Sequence, residues 1–283
     1  MREPALSGQR SAVKKIPFYK IQGTGNDFIL IDNRRDILKG MNLKGLAVRV
    51  CDRHYSVGAD GLIVIVRSKK ADFKWRFFNA DGSEAEMCGN GSRCAARFAH
   101  LKKIAKKDMA FETLAGTIHA QVKKDRVKVQ LAGAAGLRMN IAIPLESGLR
   151  MGHFINAGVP HVVYLSKDLD HEDVERIGRT TRHHALFKPA GTNVNFIQIQ
   201  GRHKLRIRTY ERGVEGETLA CGTGSVAAAL IAGSLGAASS PVEEVTRGGE
   251  KLIISFERSG DEFNSIHLEG KAEVICEGTL YLS

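Results

Sequence analysis

Apolar and polar positions along the chain follow two rhythms. Runs such as "DFILID" (27–32), "GLIVIV" (61–66) and "KWRFFN" (74–79) collect β-branched and aromatic residues and predict strands. "FYKIQG" (18–23), "GTIHAQV" (116–122) and "RVKVQL" (126–131) alternate apolar with polar residues, as strands with one wet face do. The second half repeats this texture in "VVYL", "NFIQIQ", "KLRIRTY", "KLIISF" and "NSIHLEG". Helical period appears in two long stretches. One is "GSRCAARFAHLKKIA" (91–105), with Cys94, Phe98, Leu101 and Ala105 on one face; the other is "SVAAALIAGSLGA" (225–237). Two helices are too few to carry a crossover for every strand pair. The pattern therefore predicts an α+β fold built on mostly antiparallel sheet, with hairpin turns at "KKDR" and "RSGDEF".

The two helical stretches share a preamble. "MCGNGSRCAA" (87–96) lies over "ACGTGSVAAA" (220–229) at a shift of 133 residues, with six of ten positions identical. The same shift superposes Glu84 on Glu217, Gly58 on Gly191, Gly25 on Gly158, and Thr113 and Gly116 on Thr246 and Gly249. One ungapped register over most of a half implies a tandem duplication, hence two similar halves. The expected boundaries are a disordered basic tail at 1–15, a first half at 16–132 and a second at 133–274. A last strand at about 275–283 is free to return to the first half.

Composition excludes several classes. The 283 residues are 43% apolar and 26% charged, ordinary for a globular chain. No apolar run is long enough to cross a bilayer, and the N-terminus lacks a secretory h-region, so the expectation is a cytoplasmic protein with no membrane partner. Five cysteines at 51, 88, 94, 221 and 276 are read as reduced thiols, and none has metal-ligand spacing, so no metal is expected. The net charge of +11 is scattered along strands and helix ends, which argues for a solvated basic surface and against a nucleic-acid partner. "GTGSVA" (222–227) fits a dinucleotide fingerprint, but no apolar strand precedes it, and the match is discounted.

The repeated Cys–Gly–x–Gly–Ser corner is where chemistry concentrates. Glycine lets a ligand approach the backbone, and free N–H groups at a helix start suit a carboxylate. The same field is expected to lower the pKa of a cysteine placed there. Cys51, Cys94 and Cys276 sit in apolar runs without such a corner and read as structural. Cys88 and Cys221 do not. If the halves pack about a pseudo-two-fold axis, the two sulfurs face one another across a shared cleft. One thiolate and one thiol on opposite sides of a carbon can invert it by acid–base chemistry.

In "IQGTGNDFILID", "RHYSVGADGLI", "FFNADGSEAEMCGNGSRCAARF", "GVPHVV", "TNVNF" and "YERGVEGETLACGTGSVAAAL" the chain resembles the diaminopimelate epimerase family, from about Phe18 to the end. The resemblance implies two similar antiparallel-sheet domains, each wrapped on a central helix, and commonly a homodimer. It implies interconversion of LL- and meso-diaminopimelate, with no cofactor. It assigns Cys88 and Cys221 as the two acid/bases, with His161 and Glu211 near the reacting centre. Backbone N–H groups of Gly89, Asn90, Gly222 and Thr223 would hold the reacting carboxylate. Asn26, Asn79, Asn193, Glu211 and Arg212 would complete the substrate site, Arg212 facing the distal carboxylate. Two positions depart from the family pattern: Val159 stands where many members have Asn, and Gly61 where some have Gln. A racemase of another amino acid such as histidine, or a non-catalytic thiol-redox or amino-acid-binding protein, are the alternatives.

Overall fold

A computed structural model describes residues 13–131, 133–146 and 148–282. The first half runs β1 (Lys14–Gly23), β2 (Asn26–Asp32), α1 (Leu43–Cys51), β3 (Gly61–Val66), β4 (Phe73–Asn79), α2 (Gly89–Leu101), β5 (Asp108–Thr113), β6 (Gly116–Lys123) and β7 (Arg126–Gln130). The second runs β8 (Ala135–Leu145), β9 (Gly148–Asn156), β10 (Pro160–Leu165), α3 (Val174–Arg182), β11 (Asn193–Gly201) and β12 (Lys204–Glu211). It continues through β13 (Gly216–Thr218), α4 (Gly222–Ser234), β14 (Val242–Val245), β15 (Lys251–Ser259) and β16 (Glu262–Lys271) to a last strand, β17 (Glu273–Leu282). A shift of 133 carries the bounds of α2 onto those of α4 without remainder.

The sheet is mostly antiparallel, and its parallel pairings follow one rule. β2–β3, β4–β5, β10–β11 and β12–β14 are parallel, and each has one helix in its connection: α1, α2, α3 and α4 in turn. A parallel pair needs such a crossover, whereas hairpins close the rest. The turn at Lys123–Arg126 joins β6 to β7, and the one at Ser259–Glu262 joins β15 to β16.

Each half wraps one helix. α2 packs against β1, β2, β6 and β7, and α4 against β9, β10, β11 and β15. From Gly224 to Ala232 every residue of α4 is buried, so this helix is apolar on all sides and stable only when enclosed. In α2 the buried face holds Cys94, Ala95, Phe98 and Ala99. Burying a side chain the size of Phe98 contributes about 1.5–3 kcal/mol. Leu101, expected on this face, is 40% exposed, because the helix ends there and the chain turns away through Lys103 at positive φ. α1 and α3 lie on the outer faces of the sheet, over Leu46, Val50 and Val64 in one half and Val174, Ile177 and Tyr210 in the other.

Two seams join the halves. β17 pairs antiparallel with β1 from Lys14↔Leu282 to Gln22↔Glu273, and β7 pairs with β16. The first pairing places Lys14 and Lys15 in a strand, where the sequence suggested a disordered tail; their backbone is taken up by the returning C-terminus. Residues 1–12 of that expected tail lie outside the described residues.

Candidate active site

α2 and α4 begin at the same place. Cys88 is the N-cap of α2 and Cys221 the N-cap of α4, both in extended backbone. A Cβ added at Gly222 would stand 3.6 Å from Asn90 Oδ1 and 4.0 Å from Gly89 Cα. Leu268 Cδ2 sits beside both starts, 3.4 Å from a Cβ at Gly89 and 3.2 Å from one at Gly222. The helix starts abut, and both open on one cleft of about 730 Å³ lined by Cys88 and Cys221 together. Two sets of unpaired N–H groups and the positive ends of two helix dipoles converge on it.

The residues around Cys88 form a polar chain. Gly91 N–H donates to Cys88 Sγ at 3.4 Å, and the thiol faces Asn26 Oδ1 at 3.8 Å. Asn26 Nδ2 donates to Asp60 Oδ2 at 2.6 Å. A carboxylate only accepts, so Asp60 fixes which end of the Asn26 amide faces the sulfur. Arg53 holds Asp60 and Asp27 at 2.8 Å each, anchoring the chain to β2.

Cys221 is placed differently. Its sulfur makes no capping bond to the backbone and lies 3.6 Å from Thr223 Oγ1. The Glu211 carboxyl is its neighbour, each acting on the other's titration. Burial pushes both thiols above the ordinary cysteine value. Helix-start N–H groups pull both back down, those of Gly91 and Asn90 on Cys88 and that of Gly224, with the Thr223 hydroxyl, on Cys221. The Glu211 charge raises both and counts for more among the causes at Cys221. Burial likewise raises the Glu211 carboxyl. The lowered thiol pKa expected from the helix-start field is thereby corrected, because removing a thiolate from water costs more than that field returns.

Gly89, Asn90, Gly222, Thr223, Asn26, Asn79, Asn193, Glu211 and Arg212 all line the cleft. Asn193 spends its amide on the frame, accepting from Arg212 N–H at 2.8 Å and donating to Pro160 O at 3.1 Å. Asn79 donates to Ser83 Oγ at 2.9 Å, and Arg212 Nη1 to Ala190 O at 3.2 Å. Val159 lines the wall; at Gly61 a Cβ would come within 2.7 Å of the Phe77 ring, so no side chain fits there as the sheet stands.

His161 is the exception. It is fully buried on β10, absent from the cleft lining, and desolvation lowers its pKa to about 3, leaving it neutral. Asn195 Nδ2 stands 3.1 Å from His161 Nδ1 and also donates to Val162 O, while Asn195 Oδ1 accepts from Thr209. His161 is thus tied into the sheet beneath the cleft lining, in register with Asn193, and does not itself line the cleft. Asn195, which sequence reading missed, links it to the site: a Cβ on Gly224 would lie 2.5 Å from Asn195 Oδ1 and 3.2 Å from Cys221 Cβ. The signal was present, since "NVN" puts Asn193 and Asn195 on one face of a strand. Cys51 and Cys94 are buried away from the cleft, the Cys51 thiol pushed up to about 12 by burial. Cys276 is exposed on β17. Among the described residues no group of three or more His, Cys, Asp or Glu has the geometry of a metal site.

Solved structures with this architecture include a phenazine biosynthesis protein of the PhzF family from Bacillus anthracis, with a TM-score of 0.72 at 16% identity over 94% of this chain and 99% of that one. A hydroxyproline epimerase from Agrobacterium vitis superposes with a TM-score of 0.64 at 15% identity, over 95% of this chain and 93% of that one. The two similar halves and their paired helix starts define a two-half α+β protein of this fold. The chain matches the diaminopimelate epimerase family over residues 18–136 and 153–275, and it belongs to that family. Its relatives include the diaminopimelate epimerase of Hydrogenobaculum sp. (strain Y04AAS1), 51% identical over 92% of this chain and 97% of that protein. The diaminopimelate epimerase of Aquifex aeolicus is 44% identical over 93% and 97%.

Proposed function

We propose that this cleft binds diaminopimelate and inverts one α-carbon between the LL and meso forms, with Cys88 and Cys221 as the two acid/bases. The observation supporting this most directly is that the cysteine N-caps of two symmetry-related helices line a single cleft. The α-carboxylate rests on the N–H groups of Gly89, Asn90, Gly222 and Thr223. As the α-proton leaves, negative charge flows onto that carboxylate, where fixed dipoles already point. Burial favours the protonated form of both thiols, so in this reading one proton moves first. Glu211 is the acceptor beside Cys221. Its uptake leaves a Cys221 thiolate, which takes the α-proton from one face while the Cys88 thiol gives its proton to the other. The cycle ends with Cys221 protonated and Cys88 as thiolate, ready for the reverse direction.

Arg212 meets the distal carboxylate, where its planar fork holds two oxygens. This is the requirement that separates diaminopimelate from amino acids with one carboxylate. His161 contributes from behind the wall, through Asn195, by holding α4's first turn. No cofactor takes part. A homodimer in the cytoplasm serving lysine biosynthesis belongs to the same reading, supported by the family and, for the dimer, by exposed Ile275 and Tyr281 on β17. Turnover of LL-diaminopimelate against histidine and other single-carboxylate amino acids tests the reading. A kcat/KM for diaminopimelate at least about 10³-fold higher supports it, in line with a site built around a charged group. Equal or better turnover of histidine would replace it with the sister racemase activity.

A further inference from the structure

Arg93 is the most deeply buried cation of the chain's described part, with no exposed surface. It sits on the first turns of α2, and among the described residues no carboxylate bonds to it. Its Nη2 donates to Thr24 Oγ1 and, at 2.9 Å, to Asn90 Oδ1; its Nε reaches Lys271 O at 3.4 Å. All three acceptors are neutral, and Nη1 has no partner among the described residues. Glycines on both halves make room for it. A Cβ at Gly23 on β1 would stand 3.2 Å from Nη2, and one at Gly270 on β16 would stand 3.2 Å from Nε. An unpaired buried charge is expensive, and simple packing would be served better by an apolar side chain.

Its position gives that expense a use. Asn90 Oδ1, which Arg93 holds, is the atom 3.6 Å from where a Gly222 Cβ would stand, at the junction of the two helix starts. Because Arg93 only donates, it turns the Asn90 oxygen toward itself and leaves Asn90 Nδ2 facing Asn26 Oδ1 at 3.4 Å. Asn26 is the residue that faces Cys88. We propose that Arg93 is a positioning residue of the epimerisation site, fixing the Asn90–Asn26 amide chain and holding a permanent positive charge behind the two helix N-termini. This rests on the diaminopimelate reading above. The charge is balanced when the site carries its thiolate and the substrate carboxylate. Symmetry does not supply it twice: the equivalent position in the second half is Val226.

Other charged groups set the background. Glu211 on β12 acts on Cys88 in the opposite sense to Arg93, and Cys221 on α4 faces the same cleft. Cys94, Glu250 and Arg126 act on Arg93 itself, and Glu250 accepts from Gln22 at 3.4 Å, not from the guanidinium. Asp60 reaches Cys88 only through Asn26.

The experiment compares the wild-type chain with Arg93→Met, Arg93→Gln and Arg93→Lys. It measures iodoacetamide labelling of Cys88 and Cys221 peptide by peptide at fixed pH, together with Tm, kcat and KM. Without the charge, Cys88 labelling falls about 10-fold while Cys221 changes less than about 2-fold. Turnover falls about 100-fold in kcat with KM nearly unchanged. Lys restores Cys88 labelling but only part of kcat, since an ammonium cannot make the fork to Thr24 and Asn90. A merely structural role loosens the core and speeds labelling of both cysteines alike; that result, or unchanged Cys88 labelling in a folded variant, overturns the proposal. Should the Met variant not fold, Gln carries the same comparison. Labelling needs no substrate, so failure of wild-type turnover on diaminopimelate is read separately.

Discussion

The two cysteine corners arise from one repeated sequence, yet they are chemically unequal. Cys88 caps its helix through Gly91 N–H, faces a side-chain oxygen and has Arg93 one residue outside its glycine loop. Cys221 has only a looser approach from the equivalent Gly224 N–H, faces a hydroxyl and stands beside the Glu211 carboxyl. Duplication supplied two helix starts opening on one cleft; divergence then placed Arg93 near one sulfur and the Glu211 carboxyl beside the other. The roles of giver and taker exchange with the direction of the reaction, so the difference bears on how each thiolate is formed and not on whether inversion is possible.

Removing either sulfur tests the shared part of the comparison and carries the largest effect. Cys88→Ala and Cys221→Ala each lower kcat by at least about 10³-fold, the scale of a lost general acid or base, in an epimerisation assay. Cys276→Ala, exposed on β17, leaves the rate unchanged, and comparable loss from Cys94→Ala would put the site elsewhere. Glu211→Gln tests the unequal part. It lowers kcat about 10- to 100-fold. The Cys221 thiol pKa falls, since a neighbouring negative charge disappears, and its labelling at neutral pH speeds up more than that of Cys88. Equal acceleration of both sulfurs would erase the distinction.

The glycines sharpen it with a smaller effect. Gly224→Ala drives a methyl to 2.5 Å from Asn195 Oδ1 and costs about 1–3 kcal/mol in urea unfolding. Its mate Gly91→Ala meets Ile63 Cδ1 at 3.3 Å and Cys88 Cβ at 3.4 Å, and costs less than about 1 kcal/mol. The first corner is the roomier of the two, and equal costs would contradict that.

Sequence alone carried the repeat, the two central helices and most of the strands, because strong apolar runs and glycine corners mark them. It missed what lies on the outside. α1 and α3 are short, and "VERIGRTTR" buries only Val174, Ile177, Gly178 and Thr181. β8 is exposed along most of its length, and β14 reads "VEEV", with Glu244 fully buried where the first half has Phe111. At the site, residue type and spacing singled out Cys88 and Cys221, the family resemblance added Asn26, Asn193, Glu211 and Arg212, and all six line one cleft. His161 lies behind the wall because neighbours far away in sequence, Asn195 and Thr209, tie it there. Burial reversed the expected direction of the thiol shifts, and burial depends on the whole fold, which no local motif records. The cation behind α2 was hidden for the same reason. Arg93 looks like any surface arginine on a helix until both halves close around it.

The central claim is that two sulfurs act from opposite faces of one carbon. Incubating LL-diaminopimelate with the enzyme in D2O and analysing both isomers at low conversion tests it most directly. Two separate acid/bases place solvent deuterium at the inverted carbon of the meso product, while the remaining LL substrate keeps its hydrogen. A single base carrying the proton from face to face would return the original hydrogen to the product, and that result would contradict the account.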